Sequence, residues 1–379
     1  MTAPIVIIGT GLAGYSLARE LRKLTPDLPL VLLTRDDGHA YSKPLLSTAF
    51  ARHKTPDELS TGDPGQMAEA LNATVRTFCT VDAIEPRQKV LHIGSERLAY
   101  DKLVLATGAS VRQLTIPGAN HPRVYSINSL MDFRRFHAAV QGKRKIAIIG
   151  AGLIGCEYAN DLIAGGFEVD LITPSATPLN ALIPPRAGQV LADGLVAAGI
   201  GLRLQRIPVA IHELDTGLAI ELDNGQRIVA DAVVSAIGIQ ADICLALTAG
   251  LRTRTGIITD ATLQTSTPDI YALGDCAEIE GRIRYYVMPL MASARALAQT
   301  LNGNPTPISF GAMPVATKTP ACPIIACPPE PGVEGEWQTE GHDPNLILRF
   351  VDAQNQLRGF VLTGECIKEK QGLGKVLVL

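Results

Sequence analysis

Two glycine-rich hexapeptides carry the chemistry that this sequence announces. Gly9-Thr10-Gly11-Leu12-Ala13-Gly14 follows the apolar run Ile5-Val6-Ile7-Ile8 and precedes Tyr15 to Leu21, which has helical character. Gly150-Ala151-Gly152-Leu153-Ile154-Gly155 follows Ile146 to Ile149 and precedes Cys156-Glu157-Tyr158-Ala159. Each reads as a buried strand, a tight turn and a helix start. The first glycine permits the turn, the second lets backbone approach a pyrophosphate, and the third lets the helix pack close on the strand. The free N–H groups and the dipole at the helix start then face an anion. One such motif is weak evidence. Two in the same context imply two dinucleotide sites on one chain.

Other residues are placed to complete such sites. Thr107-Gly108 and, in the second copy, Gly238 end apolar runs where close approach of a ligand or a crossing backbone is expected. Gly274-Asp275 ends another, and a carboxylate there can accept hydrogen bonds from a polyol, although a plain turn aspartate has the same sequence. Lys43 precedes Pro44 and is expected in an extended stretch, within reach of a phosphate or a ring. A solvated surface lysine is the simpler alternative. The second strand of a ribose-binding unit usually ends in an acidic residue about 20 positions past the glycines. Here Thr34-Arg35 occupies that place, followed by Asp36-Asp37, so the carboxylate is displaced or replaced.

The elements that must position these residues recur. Leu28 to Leu33 is the second strand of the first copy, and Phe167 to Thr173 that of the second. Asp101 to Gly108 is echoed by Asp231 to Gly238, so a whole dinucleotide-binding domain is duplicated. Thr74 to Phe78, Lys89 to Ile93 and Arg97 to Tyr100 read as strands in the first copy. The second has pieces around Arg203 to Val209, Leu218 to Leu222 and Arg227 to Val229, with a hairpin signal at Asp223-Asn224-Gly225. Val287-Met288-Pro289 opens a helix to about Asn302, with Gly303 after it. From about 306 onward, strand-like runs at Asn345 to Val351, Leu357 to Thr363 and Lys375 to Leu379 suggest a small α+β cap.

Composition narrows the function classes. A net charge of −3 gives no global attraction to nucleic acid or an anionic membrane. No apolar run reaches the roughly 18 residues of a span. The start, Met1-Thr2-Ala3-Pro4, has no basic leader character. The chain therefore reads as soluble and cytoplasmic. Its 7 cysteines form no C-x-x-C, so buried free thiols in a reducing compartment are expected. The 7 histidines lack ligand spacing, and no metal is expected.

The order of motifs resembles the two-dinucleotide flavoprotein reductases. It runs GxGxxG, ATG at 106–108, a second GxGxxG, then Gly-Asp after Thr265 to Ala272. Within them the sequence is similar to bacterial rubredoxin reductases. That likeness rests on Ile7 to Tyr15, Tyr41-Ser42-Lys43-Pro44, Gly152 to Glu157, Tyr286 to Ala292, and Lys318-Thr319-Pro320-Ala321-Cys322-Pro323. The resemblance implies an α/β chain with two Rossmann-like, glutathione-reductase-like dinucleotide domains and a small α+β C-terminal domain. FAD would occupy 1–108 with 239–305, NADH would occupy 109–238, and the cap would span 306–379. Hydride would pass from NADH to FAD, and single electrons to rubredoxin, as in alkane hydroxylation. A monomer or weak dimer is expected.

The same resemblance implies roles. Gly9, Thr10, Gly11, Leu12, Ala13 and Gly14 would hold the FAD pyrophosphate. Thr34 and Arg35 would sit at the adenosine ribose, Val81 at the adenine, and Thr107 and Gly108 at the strand end. Lys43 and Lys318 would face the isoalloxazine region. Asp275 would bond the ribityl chain, and Val287 the ring carbonyl, where the helix dipole favours negative charge. Gly150, Gly152, Leu153, Ile154, Gly155, Thr173 and Gly238 would hold NADH. Glu157 would lie near the flavin–nicotinamide junction. Related ferredoxin reductases carry a further lysine near position 48, where this chain has Thr48, so a Lys–Glu pair would need Lys43. Lys43 and Glu157 are the expected catalytic residues.

The early loop has no dithiol or single reactive cysteine, which favours an external one-electron carrier over a disulfide or peroxide. Ferredoxin is the alternative carrier, and a non-catalytic redox-sensing flavoprotein the alternative class. No arginine lies at Thr173 to Thr177 to take a 2′-phosphate, so NADH is favoured. Rubredoxins tend to be acidic, and basic residues at Arg19, Arg22, Lys23 or Lys143, Arg144, Lys145 could steer them. Ordinary solvated charge is the other reading.

Overall fold

The computed structural model describes residues 3–378. The first two residues of the expected leader-free start, and Leu379 of the expected last strand, lie outside that range. The chain forms two compact units, each assembled from three stretches. Of the described residues, unit 1 comprises 3–43, 57–110 and 239–310, and unit 2 comprises 44–56, 111–238 and 311–378.

Unit 1 is built on a five-stranded sheet in the order Ile270–Ala272, Lys102–Leu105, Ile5–Ile8, Leu30–Leu33, Thr74–Arg76. Every pairing in it is parallel. Ile5–Ile8 lies at its centre and is buried at all four positions, as an apolar run without alternation requires. Helix Leu12–Leu24 buries Tyr15, Leu17, Ala18 and Leu21 and ends with Arg22 and Lys23, which suit its negative dipole end. Each fully buried leucine there stabilises the fold by roughly 1.5–3 kcal/mol. Helix Val287–Leu301 buries Leu290, Ala294, Leu297 and Leu301 along one face. An antiparallel meander, Ala83–Glu85, Val90–Ile93 and Glu96–Ala99, completes the unit.

Unit 2 repeats the plan. Its parallel sheet runs Val124–Tyr125, Ala232–Ser235, Lys145–Ile149, Glu168–Ile172, Gly201–Arg203. Its meander, Pro208–Leu214, Gly217–Leu222 and Arg227–Ala230, turns at Gly225, whose φ of +79° meets the expected hairpin. Strand order is the same in both sheets, counted from the glycine-turn strand outward. Only the outermost strand differs in origin: it arrives last in unit 1 and first in unit 2. The chain is thus an α/β protein with parallel sheets of the Rossmann type and a small C-terminal domain.

The C-terminal stretch forms a five-stranded sheet, Val315–Ala316, Ile324–Cys327, Leu357–Thr363, Asn345–Val351, Glu336–His342, paired antiparallel throughout. Two strands fall where expected. The expected strand at Lys375 to Leu379 is corrected: Lys370–Val376 is a helix that buries Leu373. A run of apolar residues too short to show its period suits either form.

Candidate functional site

In unit 1 the first glycine turn is packed from behind and open in front. A Cβ at Gly14 would lie 1.9 Å from Gly9 O, and one at Gly9 would lie 2.1 Å from Ala106 O. A Cβ at Gly11 would meet nothing within 4 Å. Helix Leu12–Leu24 has no side-chain cap and no acidic residue in its first turn. Its first N–H groups are left for an external anion, as a dinucleotide pyrophosphate requires. Gly274 has φ +79°, and a Cβ there would come 2.8 Å from Ala13 Cβ, so the Gly274-Asp275 turn lies against this helix start. Asp275 is held above the usual carboxylate range by burial, against the opposing charge of Lys43. Helix Val287–Leu301 likewise starts with no side-chain cap and no acid in its first turn.

The carboxylate that strand Leu30–Leu33 lacks at its end is supplied by Asp36. Its Oδ1 accepts from Thr34 Oγ1 at 2.7 Å, Gly38 N at 3.0 Å and Thr10 Oγ1 at 3.5 Å. Asp36 thus ties the second strand's end to the glycine turn, a role for which the sequence offers only its proximity. Arg35 is exposed and pairs with Asp242 at 3.2 Å. Thr107 Oγ1 donates to Asp242 O at 2.8 Å, and Gly108, at φ +72°, has open space around its α-carbon. Val81 packs at the edge of the core.

Lys43 opens the 3-10 turn Lys43–Thr48, which corrects the extended reading. Pro44 at the second position of that turn forfeits no hydrogen bond.

In unit 2 the second glycine turn repeats the first. A Cβ at Gly155 would lie 1.8 Å from Gly150 O, while one at Gly152 would meet nothing within 4 Å. Helix Leu153–Ala164 is uncapped by side chains and has no acid in its first turn. Leu153 starts it, and Ile154 is exposed beside it. Gly150 and Gly238 both have positive φ, +107° and +115°. Buried Thr173 follows strand Glu168–Ile172 and accepts from Ser175 N through its hydroxyl at 3.3 Å.

The sharpest feature of unit 2 is an ion pair. Glu157, 3% exposed, binds Lys318 Nζ through Oε2 and accepts the Lys318 backbone N at 3.1 Å through Oε1. Lys318 Nζ also donates to Ser47 Oγ at 2.7 Å and Pro44 O at 2.8 Å, and Ser47 Oγ donates to Glu157 Oε2 at 2.9 Å. This corrects the expected Lys43–Glu157 pair. The cation that neutralises the buried carboxylate comes from the loop before strand Ile324–Cys327, not from the early loop. Sequence reasoning missed Ser47, whose hydroxyl has no spacing signal.

Four of the seven cysteines are buried and burial raises their thiols, Cys156 to about 12 and Cys322 to about 11. Cys244 is exposed, which corrects a uniformly buried set. Arg22 donates to Leu71 O, Asn72 O and Thr25 O, and Arg144 and Lys145 share Glu168, so much of the candidate steering charge is spent within the chain. Among the described residues no group of three or more His, Cys, Asp or Glu is arranged to hold a metal, and no helix is long and apolar enough to cross a membrane.

With this geometry in view, relatives are decisive. Residues 3–299 match the family described as pyridine nucleotide-disulphide oxidoreductase. The chain belongs to the pyridine nucleotide-disulphide oxidoreductase family. It is an oxidoreductase enzyme. Residues 307–377 match a second family, described as rubredoxin binding C-terminal domain. The chain is 47% identical to a rubredoxin-NAD(+) reductase of Alcanivorax borkumensis over 99% of this chain and 98% of that one. It is 42% identical to the protein of the same name from Acinetobacter baylyi, covering 95% and 94%. Among solved structures, the ferredoxin reductase for the CYP199A2 system of Rhodopseudomonas palustris superposes with a TM-score of 0.89 at 24% identity, covering 100% and 96%. That last likeness concerns the fold.

Proposed function

We propose that this oxidoreductase is an FAD-dependent NADH:rubredoxin reductase. The observation that carries the acceptor is the match of residues 307–377 to a rubredoxin-binding domain, directly after a match to the pyridine-nucleotide family. The names of the two Alcanivorax and Acinetobacter relatives point the same way. A glutathione-reductase-like arrangement follows: 1–108 with 239–305 for FAD, 109–238 for NADH, and 306–379 as the C-terminal domain. Service to an alkane-hydroxylating system goes with this reading.

A bound flavin supplies the ability to take two electrons as hydride and release them singly. The chain's part is to bind, orient and set the local field. Gly9 to Gly14 hold the FAD pyrophosphate on open N–H groups, and Asp275 accepts from the ribityl hydroxyls. Thr34, Arg35 and Val81 border the adenosine, with Thr107 and Gly108 at the neighbouring strand end. Lys43 and the start of helix Val287–Leu301 favour negative charge on the ring. Gly150 to Gly155, Thr173 and Gly238 hold NADH. Glu157 and Lys318 form the buried charge pair assigned to the redox site.

The test is anaerobic mixing with NADH followed by an acceptor panel. Rapid bleaching of the flavin band, faster with NADH than NADPH, and preferential turnover with rubredoxin over ferredoxin, quinone or disulfide are expected. Sluggish bleaching would instead favour a redox sensor, and equal or better turnover with ferredoxin would reassign the carrier.

A further inference from the structure

One buried carboxylate has no part in the function proposed above. Asp161 lies on helix Leu153–Ala164 at 3% exposure, one turn beyond Glu157. Its Oδ1 accepts from Ala51 N at 2.8 Å and its Oδ2 from Phe50 N at 3.2 Å. Between them on the helix, Asn160 Oδ1 accepts from Ala321 N at 3.1 Å. The spacing i, i+3, i+4 places Glu157, Asn160 and Asp161 on one face. That face grips two loops that are remote in sequence, 44–51 and 318–321.

The loop 44–51 matters because it supplies two of the three acceptors of the Lys318 ammonium, Pro44 O and Ser47 Oγ. It is fastened at its far end. The Phe50 ring packs edge-on against Phe133, Phe136 and Phe167 and stacks on His137. A Cβ added to Gly165 would come 2.7 Å from Phe50 Cβ, so the helix end and the loop are in close contact. A carboxylate accepting two backbone amides forms strong, directional bonds and tolerates little displacement.

We infer that Asp161 is a positioning residue: it fastens the 44–51 loop to the helix so that Pro44 O and Ser47 Oγ hold the Lys318 ammonium on Glu157. Asn160 sets the other loop on the same helix. The spacing of the helix face then fixes where the Lys318 charge sits. This inference rests on the proposed redox role of Lys318, but its structural half can be tested alone.

The test uses the flavin-loaded protein and brief acylation with acetic anhydride, read at each lysine by mass spectrometry. In D161N one amide donor would face the two backbone donors, and the loop should open locally. Lys318 labelling is expected to rise about tenfold, with exposed Lys375 unchanged as a control. Hydrogen exchange at the Phe50 and Ala51 amides should quicken. The rate of flavin reduction by NADH should fall about 10- to 100-fold while the KM for NADH holds. D161E keeps the charge but moves the carboxylate oxygens off the two amides, and should raise Lys318 labelling too; it serves if D161N does not fold. Unchanged Lys318 labelling in folded D161N, or in D161E if that is the protein obtained, overturns the inference. Raised labelling with an unchanged reduction rate upholds the positioning role and removes the proposed redox role of Lys318 instead.

Discussion

Lys318 meets Glu157 twice, through its ammonium on Oε2 and through its backbone N on Oε1 at 3.1 Å. The carboxylate, itself buried, is therefore held by a charge and by the main chain of one half-buried residue. Removing the ammonium alone leaves a buried carboxylate with too few partners. K318M should lower stability by roughly 3 kcal/mol, read by denaturant unfolding. K318M/E157Q should recover at least ~1 kcal/mol of that, since both charges are then gone. A double variant no more stable than K318M would show that the pair does not dominate the pocket.

The two open glycines separate binding from folding. G11A and G152A place a methyl group in free space, so both proteins should fold with near-normal melting. G11A should emerge with reduced flavin content, and G152A with normal flavin content and a raised KM for NADH, each by about tenfold or more. G14A and G155A, whose methyl groups would strike a carbonyl oxygen of the turn itself, should fail to accumulate folded protein. Absorbance at the flavin band against total protein reads the first pair; soluble yield and circular dichroism read the second.

Asp161 should leave a signature in the pH dependence of stability. Burial pushes its carboxyl up to about 6 from 3.8, opposed by the Ala51 and Phe50 amides and by Lys318. A raised carboxyl means that, between those values, the folded chain keeps a proton that the unfolded chain has released. Stability from this group is thus greatest at low pH and declines as pH rises from about 4 to about 6. The unfolding free energy of the natural protein minus that of D161N should fall across that window by up to ~3 kcal/mol and flatten above it. A difference that rises with pH would contradict this assignment.

Arg22 is a candidate for steering an acidic carrier by its place in the sequence, but its guanidinium is taken up by three backbone carbonyls. R22A should cost roughly 1–3 kcal/mol of stability and leave the KM for rubredoxin and its salt dependence unaltered. Lys143 is exposed, and K143E is the matching probe of steering. A shift in carrier KM with R22A would restore the first helix as a docking surface.

The glycine turns were legible because everything they need is local: an apolar strand before, three glycines at fixed spacing, a helix after. The parallel sheets followed for the same reason, since each copy declares its own strands. The Lys318–Glu157 pair was not legible, because its members stand 161 residues apart and meet only when the C-terminal stretch folds. The resemblance brings Lys318 to the same region as Lys43, but no spacing links either lysine to Glu157. Ile324–Cys327 was hidden by the prolines at 320, 323, 328 and 329, and Glu336–His342 by a polar, largely exposed composition that gives no alternation. Asp36 is in view in the sequence as a displaced carboxylate, but its bonds to Thr34, Gly38 and Thr10 depend on how the loop folds back.

Each unit is stitched from three separate stretches of chain, and this sets a timetable for the nascent protein. The stretch that ends at Lys43 must wait for residues up to 272 before its sheet gains the last strand, Ile270–Ala272. Phe50 leaves the ribosome long before the rings at 133, 136 and 167 that will enclose it. During that interval an apolar side chain stands in water without its shelter, and segments made far apart must return to one another. Synthesis from the N-terminus therefore cannot complete either unit early: unit 1 draws on residues up to 310, and unit 2 on residues beyond it.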